Sequence, residues 1–227
     1  MIETIQVGDK SVRLEVHLPE KVNETTPAIL LLHGSGGNVG WWLERIAPQV
    51  TAAGIALFAP HYFDRTDSVR PDYETIMDGL HVPLWIEAVR ASLEHVAAKP
   101  EIDASRVALV GVSLGAFLSL GLAAMLSASP QEPERKRIRC VVDLSGGLIE
   151  PFRDQATKAF PPTLVVHGEA DDVVNVRDAH ALIARLEELG VEHETMLLPG
   201  EGHWFSDAAQ IPLFLRLASF VSKHLKP

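Results

Sequence analysis

Gly111-Val112-Ser113-Leu114-Gly115 sets a serine two positions from a glycine on either side, between the apolar run Val107–Val110 and the small-residue run Ala116–Leu120. A serine hydroxyl lifted clear of the backbone needs a strand-to-helix turn so tight that a Cβ at either glycine would strike the neighbouring strand or helix. Ser113 is therefore a candidate nucleophile for acyl transfer. The bare five-residue pattern arises by chance in some chains of this size, and the strand before it and the helix after it make it specific.

Such a hydroxyl needs an imidazole within about 3 Å to take its proton. In parallel-sheet enzymes of this kind the base follows the nucleophile and the acid along the chain, which leaves His180, His193, His203 and His224. His180 falls in a helical pattern, His193 at the start of a strand and His224 near the end of the last helix. Only His203 lies in a loop after a strand, in Pro199-Gly200-Glu201-Gly202-His203-Trp204-Phe205. The acid that orients it must be a carboxylate at the same edge. Asp171 and Asp172, in His167-Gly168-Glu169-Ala170-Asp171-Asp172, both qualify; Asp171 is preferred, with Asp172 as a cap for the next turn or helix. Asp143, after Ile138–Val142, is the third carboxylate at a strand end. It stands before Leu144-Ser145-Gly146-Gly147, where an aspartate also suits a turn.

An oxyanion formed by attack on an ester carbonyl needs donors already in place. The N–H of Leu114 follows the nucleophile directly. A second donor is expected from His33-Gly34-Ser35-Gly36-Gly37, as the N–H of Ser35 or, alternatively, of Gly36. A dinucleotide-binding reading of that loop fails at Val39, where the third glycine should stand. Neither a phosphate-binding G-x-x-x-x-G-K nor H-E-x-x-H occurs, and a single cysteine, Cys140, excludes a thiolate zinc site. No cofactor and no metal are expected.

The elements that must position these groups alternate along the chain. Ile2–Val7 and Val12–Leu18 read as strands joined at Gly8-Asp9. Continuous apolar runs of the kind buried on both sheet faces come next, at Ala28–Leu32, Ile55–Ala59, Val107–Val110, Ile138–Val142 and Thr163–Val166, with Met196–Leu198 last. Between them, Pro83 suits a first helical turn and Trp85, Val89, Leu93 and Val96 recur at helical spacing until Pro100. Val176–Leu189 presents one apolar face and stops at Gly190, and Asp207–Leu225 is a further amphipathic helix. This order predicts an α/β fold: a mostly parallel central sheet of about seven or eight strands, entered through an antiparallel hairpin and flanked by helices on both faces. In such sheets reactive groups gather beyond the carboxyl ends of the strands.

The 227 residues suit a single domain, residues 1–227. A formal net charge of −10 opposes binding to nucleic acid or anionic membrane surfaces, and the run Arg135-Lys136-Arg137-Ile138-Arg139 reads as a solvated loop before a strand. The first residues lack the basic start and apolar centre of a signal peptide, no run spans a bilayer, and the lone cysteine gives no intrachain disulfide. A soluble cytoplasmic protein is expected; its oligomeric state is not legible.

Together the elbow, the His33-Gly34 loop, the His167-Gly168-x-x-Asp171 turn and the Gly200-x-Gly202-His203-x-Phe205 turn resemble the α/β-hydrolase superfamily, and the compact length resembles its dienelactone hydrolase branch. The resemblance implies the α/β-hydrolase fold and a hydrolase with Ser113, Asp171 and His203 as triad. Ala59-Pro60 followed by Phe63 and Arg65 resembles a family segment whose arginine meets a substrate carboxylate. The chain departs from that family at Ser113, where dienelactone enzymes carry cysteine, at Gly34, where they carry glutamate, and at Phe63, where they carry tyrosine. Residues 145–162 are too short for a large cap domain, so an open cleft is expected. Gly36, Trp41, Phe63, Arg65 and Trp204 are the candidate substrate contacts, with Phe117 in the core. The expected substrate is a small or medium, partly apolar ester. Lactone or thioester hydrolysis, acyl transfer, peptidase activity and a ligand-binding protein without catalysis are the other readings.

Overall fold

The structure is a computed structural model and describes residues 1–23, 25–129, 131 and 137–226. Eight strands form one sheet: β1 Ile2–Val7, β2 Lys10–His17, β3 Thr26–Leu32, β4 Ala56–Pro60, β5 Ile102–Val112, β6 Ile138–Leu144, β7 Thr163–Gly168 and β8 His193–Leu198. Their order across the sheet is β1-β2-β4-β3-β5-β6-β7-β8. The β1–β2 and β2–β4 pairs are antiparallel and all others parallel, as the hairpin followed by apolar runs predicts. Val7 pairs with Lys10 across the Gly8-Asp9 turn, and Gly8 adopts the positive φ of 60° that this tight reversal requires.

The helices are α1 Val39–Ala52, α2 Tyr73–Met77, α3 His81–Ala97, α4 Leu114–Ser127, α5 Phe152–Gln155, α6 Val176–Leu189 and α7 Asp207–Leu225. Two apolar layers arise from strand alternation. Leu30, Leu32, Leu109, Val141 and Val165 meet α3, α4 and α6 on one face, while Ile29, Leu31, Val110, Val142 and Val166 meet α1 and α7 on the other. Between β6 and β7 the described chain holds only the single-turn α5, in keeping with the expected absence of a large cap. Arg135 and Lys136 of the basic run lie outside the described residues. No helix among the described residues is long and apolar enough to cross a membrane.

The helix α1 is the longest element that the apolar pattern leaves unannounced. It carries Gly40 near its start and Pro48 inside, residues that weaken a helix read from propensity alone, yet Val39, Leu43 and Ala47 bury one face against the sheet. Tertiary packing outweighs local propensity there.

Candidate active site

Ser113 sits at φ 52° and ψ −121°, a backbone conformation that costs a non-glycine residue on the order of 1–3 kcal/mol. The surrounding chain enforces it. Its N–H donates to Leu144 O at 2.8 Å, tying the end of β5 to β6, and its carbonyl accepts from Ala116 and Phe117 to start α4. A Cβ at Gly111 would overlap the Gly115 carbonyl and the Ala116 backbone, and one at Gly115 would overlap the carbonyls of Leu32 and His33. Both glycines of the pentapeptide are thus demanded by backbone approach, as the sequence predicts. The Ser113 hydroxyl makes no protein hydrogen bond among the described residues, and the residue keeps 8% exposure.

The structure brings Asp171 and His203 together. His203 Nδ1 donates to Asp171 Oδ2 at 2.8 Å, while Oδ1 accepts from the N–H groups of Val173 and Val174, each at 2.9 Å. Burial alone would raise the Asp171 carboxyl; the Val174 amide, His203 and the Val173 amide outweigh it and hold the group below the usual carboxylate range. The two loops are clamped to one another. Glu169 N donates to Leu198 O at 3.0 Å and Ala170 N to Glu201 O at 2.9 Å, and a Cβ at Gly168 would overlap the carbonyls of Glu201 and Gly202. With Nδ1 committed to Asp171, Nε2 is the nitrogen of His203 left for proton transfer. Asp172 is exposed and makes no bond to His203. His180, His193 and His224 lie on α6, at the start of β8 and at the end of α7.

Across the elbow from β6, the loop after β3 packs against Ser113: a Cβ on Gly34 would stand 3.4 Å from Ser113 Cβ. Gly37 N closes this loop onto Gly34 O at 3.1 Å and Asn38 N onto Gly36 O at 3.1 Å, leaving the N–H groups of Ser35 and Gly36 without protein acceptors among the described residues. Leu114 N–H, at the first position of α4, is likewise free among them. His33 anchors the loop from below. Its ring stacks on Tyr62 at 4.1 Å and meets Phe63 edge-on at 4.8 Å, and Tyr62 Oη donates to His33 O at 2.5 Å. Burial drives the His33 imidazole down to about 4, so it is neutral at pH 7.

The candidate substrate contacts separate. Gly36 and Phe63 line a cavity of about 930 Å³ together with His33, Val69 and Arg70; it lies beside the 33–37 loop and its walls include neither Ser113 nor His203. Phe63 is also only 5% exposed among His33, Tyr62 and Trp85, so packing occupies most of its surface. Trp41 is half exposed under the Arg45 guanidinium, and Trp204 is 68% exposed, edge-on to His203 at 5.3 Å. The Arg65 guanidinium is turned to two carboxylates of its own, Glu87 at 2.9 Å and Asp9 at 3.1 Å, against Gly8 in the β1–β2 turn. A substrate carboxylate could reach it only by displacing them. Phe117 is only partly buried on α4, although the sequence places it in the core.

Asp143 is fully buried beneath the site, and neither carboxyl oxygen has a partner at hydrogen-bonding geometry among the described residues. Burial pushes its carboxyl up to about 8, the nearby Gly146 amide opposing weakly and the Asp178 charge adding to the rise. It touches no histidine of the site and is protonated at neutral pH. Because the folded chain holds this proton far above the ordinary aspartate value of 3.8, it binds more protons than the unfolded chain from about pH 4 to pH 8, and stability falls as pH rises through that window. Asp143→Asn is expected to flatten this fall: thermal melts of parent and variant should diverge progressively from pH 5 to pH 8, the variant melting higher at pH 8, with activity retained. Parallel melting curves would contradict a buried neutral acid.

Residues 14–213 match the model of the dienelactone hydrolase family. Acyl-protein thioesterase 1 homolog 1 of Dictyostelium discoideum is 24% identical over 95% of this chain and 98% of its own. Acyl-coenzyme A thioesterase 5 of Mus musculus is 31% identical over 55% of this chain, a stretch that spans 27% of the mouse protein. Among solved structures, a dienelactone hydrolase-like promiscuous phosphotriesterase from metagenomic libraries superposes with a TM-score of 0.79, covering 99% of this chain and 97% of that one at 18% identity. That likeness concerns the fold.

Proposed function

This chain belongs to the dienelactone hydrolase family of α/β hydrolases, and from that premise we propose that it is a serine carboxylesterase acting through Ser113, His203 and Asp171. The observation that carries this reading is the 2.8 Å bond from His203 to a buried, ionised Asp171, formed beyond the carboxyl ends of β7 and β8, in the same sheet whose strands β5 and β6 hold Ser113 in its strained turn. Ser113 Oγ attacks the ester carbonyl carbon as His203 Nε2 takes its proton, and Asp171 stabilises the imidazolium. The carbonyl oxygen becomes an oxyanion, met by the N–H of Leu114 and that of Ser35, with Gly36 as the alternative donor. Collapse breaks the bond to the alcohol, which leaves with the proton from His203. Water, deprotonated by His203, then cleaves the acyl-Ser113 ester and releases the acid. Among the described residues Ser113 and His203 make no hydrogen bond; catalytic hydrogen bonds of this type tighten on binding of substrate.

Exposed Trp204 and Trp41 suit an apolar acyl or aryl group. Because the two relatives from Mus musculus and Dictyostelium discoideum are named as thioesterases, thioester hydrolysis on the same three residues is the second reading. A panel of p-nitrophenyl butyrate, the matched butyryl thioester and a simple lactone separates them. The esterase reading expects turnover of the oxygen ester at a kcat/KM no lower than that of the thioester. A thioester preference of tenfold or more favours the second reading, and no turnover of any of the three contradicts both.

A further inference from the structure

His167 is a histidine at the end of an apolar strand, where its side chain reads as packing, yet its polar contacts all lead to the catalytic carboxylate. It is wholly buried. Nε2 lies 2.9 Å from Val174 O and 3.3 Å from Asp171 Oδ2, the same oxygen that accepts from His203. A carbonyl can only accept, so Nε2 carries the hydrogen and donates it to Val174 O, with Asp171 Oδ2 close by at 3.3 Å. Val174 in turn gives its N–H to Asp171 Oδ1. The imidazole therefore grips the 171–174 turn at its far end and touches the carboxylate at its near end.

Resting on the catalytic reading above, we propose that His167 is the positioning residue of the active site, holding the 171–174 turn so that Asp171 stays aimed at His203. The arrangement around it is one-sided. Its Nδ1 is buried without a partner among the described residues, as are both oxygens of Asp143 and the hydroxyl of Ser145 on the adjacent strand β6 and just beyond it. Asp143 pairs with Val165, two residues before His167, so both side chains fall on the face covered by α4 and α6. The titratable groups around His167 are thus Asp171 and His203 on its catalytic side, with Asp143 and, from α6, Asp178 behind it. Among the described residues, the ring's one hydrogen bond is to Val174 O, on the catalytic side.

Removing the donor has a definite direction. Without the Nε2–H bond to Val174 O the 171–174 turn is released, and Asp171, less firmly aimed at His203, supports the imidazolium less. The acid limb of kcat/KM, which reports the free enzyme's base, then moves to lower pH. Side-chain length makes the test specific. A glutamine amide reaches about where Nε2 lies, and an asparagine amide stops short of it. His167→Asn is expected to lower kcat about ten- to a hundredfold with KM little changed, as for loss of a buried hydrogen bond that leaves its acceptor unsatisfied, and to shift the acid limb downward. His167→Gln is expected to restore most of the rate and the parental limb. If both variants fold with equal thermal stability and His167→Asn keeps the parental rate and limb, or if His167→Gln recovers neither, the positioning role is overturned. If either variant fails to fold, the limb of the other still decides. Ser113→Ala serves as the control: turnover surviving in it would refute the catalytic reading itself, whereas an inactive Ser113→Ala beside an unaffected His167→Asn would refute only the role of His167.

Discussion

Ser113→Ala is expected to lower kcat/KM for p-nitrophenyl butyrate by about 10⁴-fold or more, the cost of removing the nucleophile from a triad that acts as a unit. The fold should be untouched. The Ser113 hydroxyl holds no other group among the described residues, and the positive φ is imposed by the Leu144 and Ala116 bonds and by two glycines, so alanine inherits the same strain and loses no hydrogen bond. The thermal midpoint should therefore change little, by an amount within about ±0.5 kcal/mol of stability. Loss of activity accompanied by a large loss of stability would point to a structural serine; retained activity would place the chemistry elsewhere.

The second large effect is expected at Asp171. In Asp171→Asn the side-chain oxygen is claimed by the N–H groups of Val173 and Val174, which can only donate, so the amide nitrogen must turn toward His203. An NH₂ facing Nδ1 removes its acceptor and forces the hydrogen to Nε2, the tautomer that cannot take a proton from serine. A fall in kcat of about 10⁴-fold is expected, with KM nearly unchanged. Asp143→Asn makes the comparison sharp, since it exchanges a carboxyl for an amide on the neighbouring strand and is expected to leave turnover intact. Steady-state kinetics on the two variants side by side checks both; equal losses, or a loss confined to Asp143→Asn, would reassign the acid.

The strand series and the elbow were legible because their signals are local. Val107–Val110 before Gly111 and a small-residue run after Gly115 describe a buried strand, a tight turn and a close-packed helix without reference to anything distant. Asp171 and His203 were legible at one remove, as polar residues in glycine-bearing loops at strand ends, and 2.8 Å is the contact that those placements anticipate. What stayed hidden depends on partners remote in the chain. Arg65 carries the same residue type as a substrate clamp, and only the fold brings Glu87 and Asp9 to it. His167 looks like one more member of an apolar strand until the turn at 171–174 folds back beneath it. Helix α1 escapes because Gly40 and Pro48 lower its propensity, while the sheet face that stabilises it is assembled from several other strands.

The most direct test is to let the protein react with a fluorophosphonate and locate the adduct by mass spectrometry of its peptides. A single stoichiometric adduct on Ser113, formed in step with loss of esterase activity and slowed severely in Asp171→Asn, is the expected result. An unmodified Ser113, or an adduct on a different serine that tracks the activity, would contradict the assignment of Ser113 as the nucleophile.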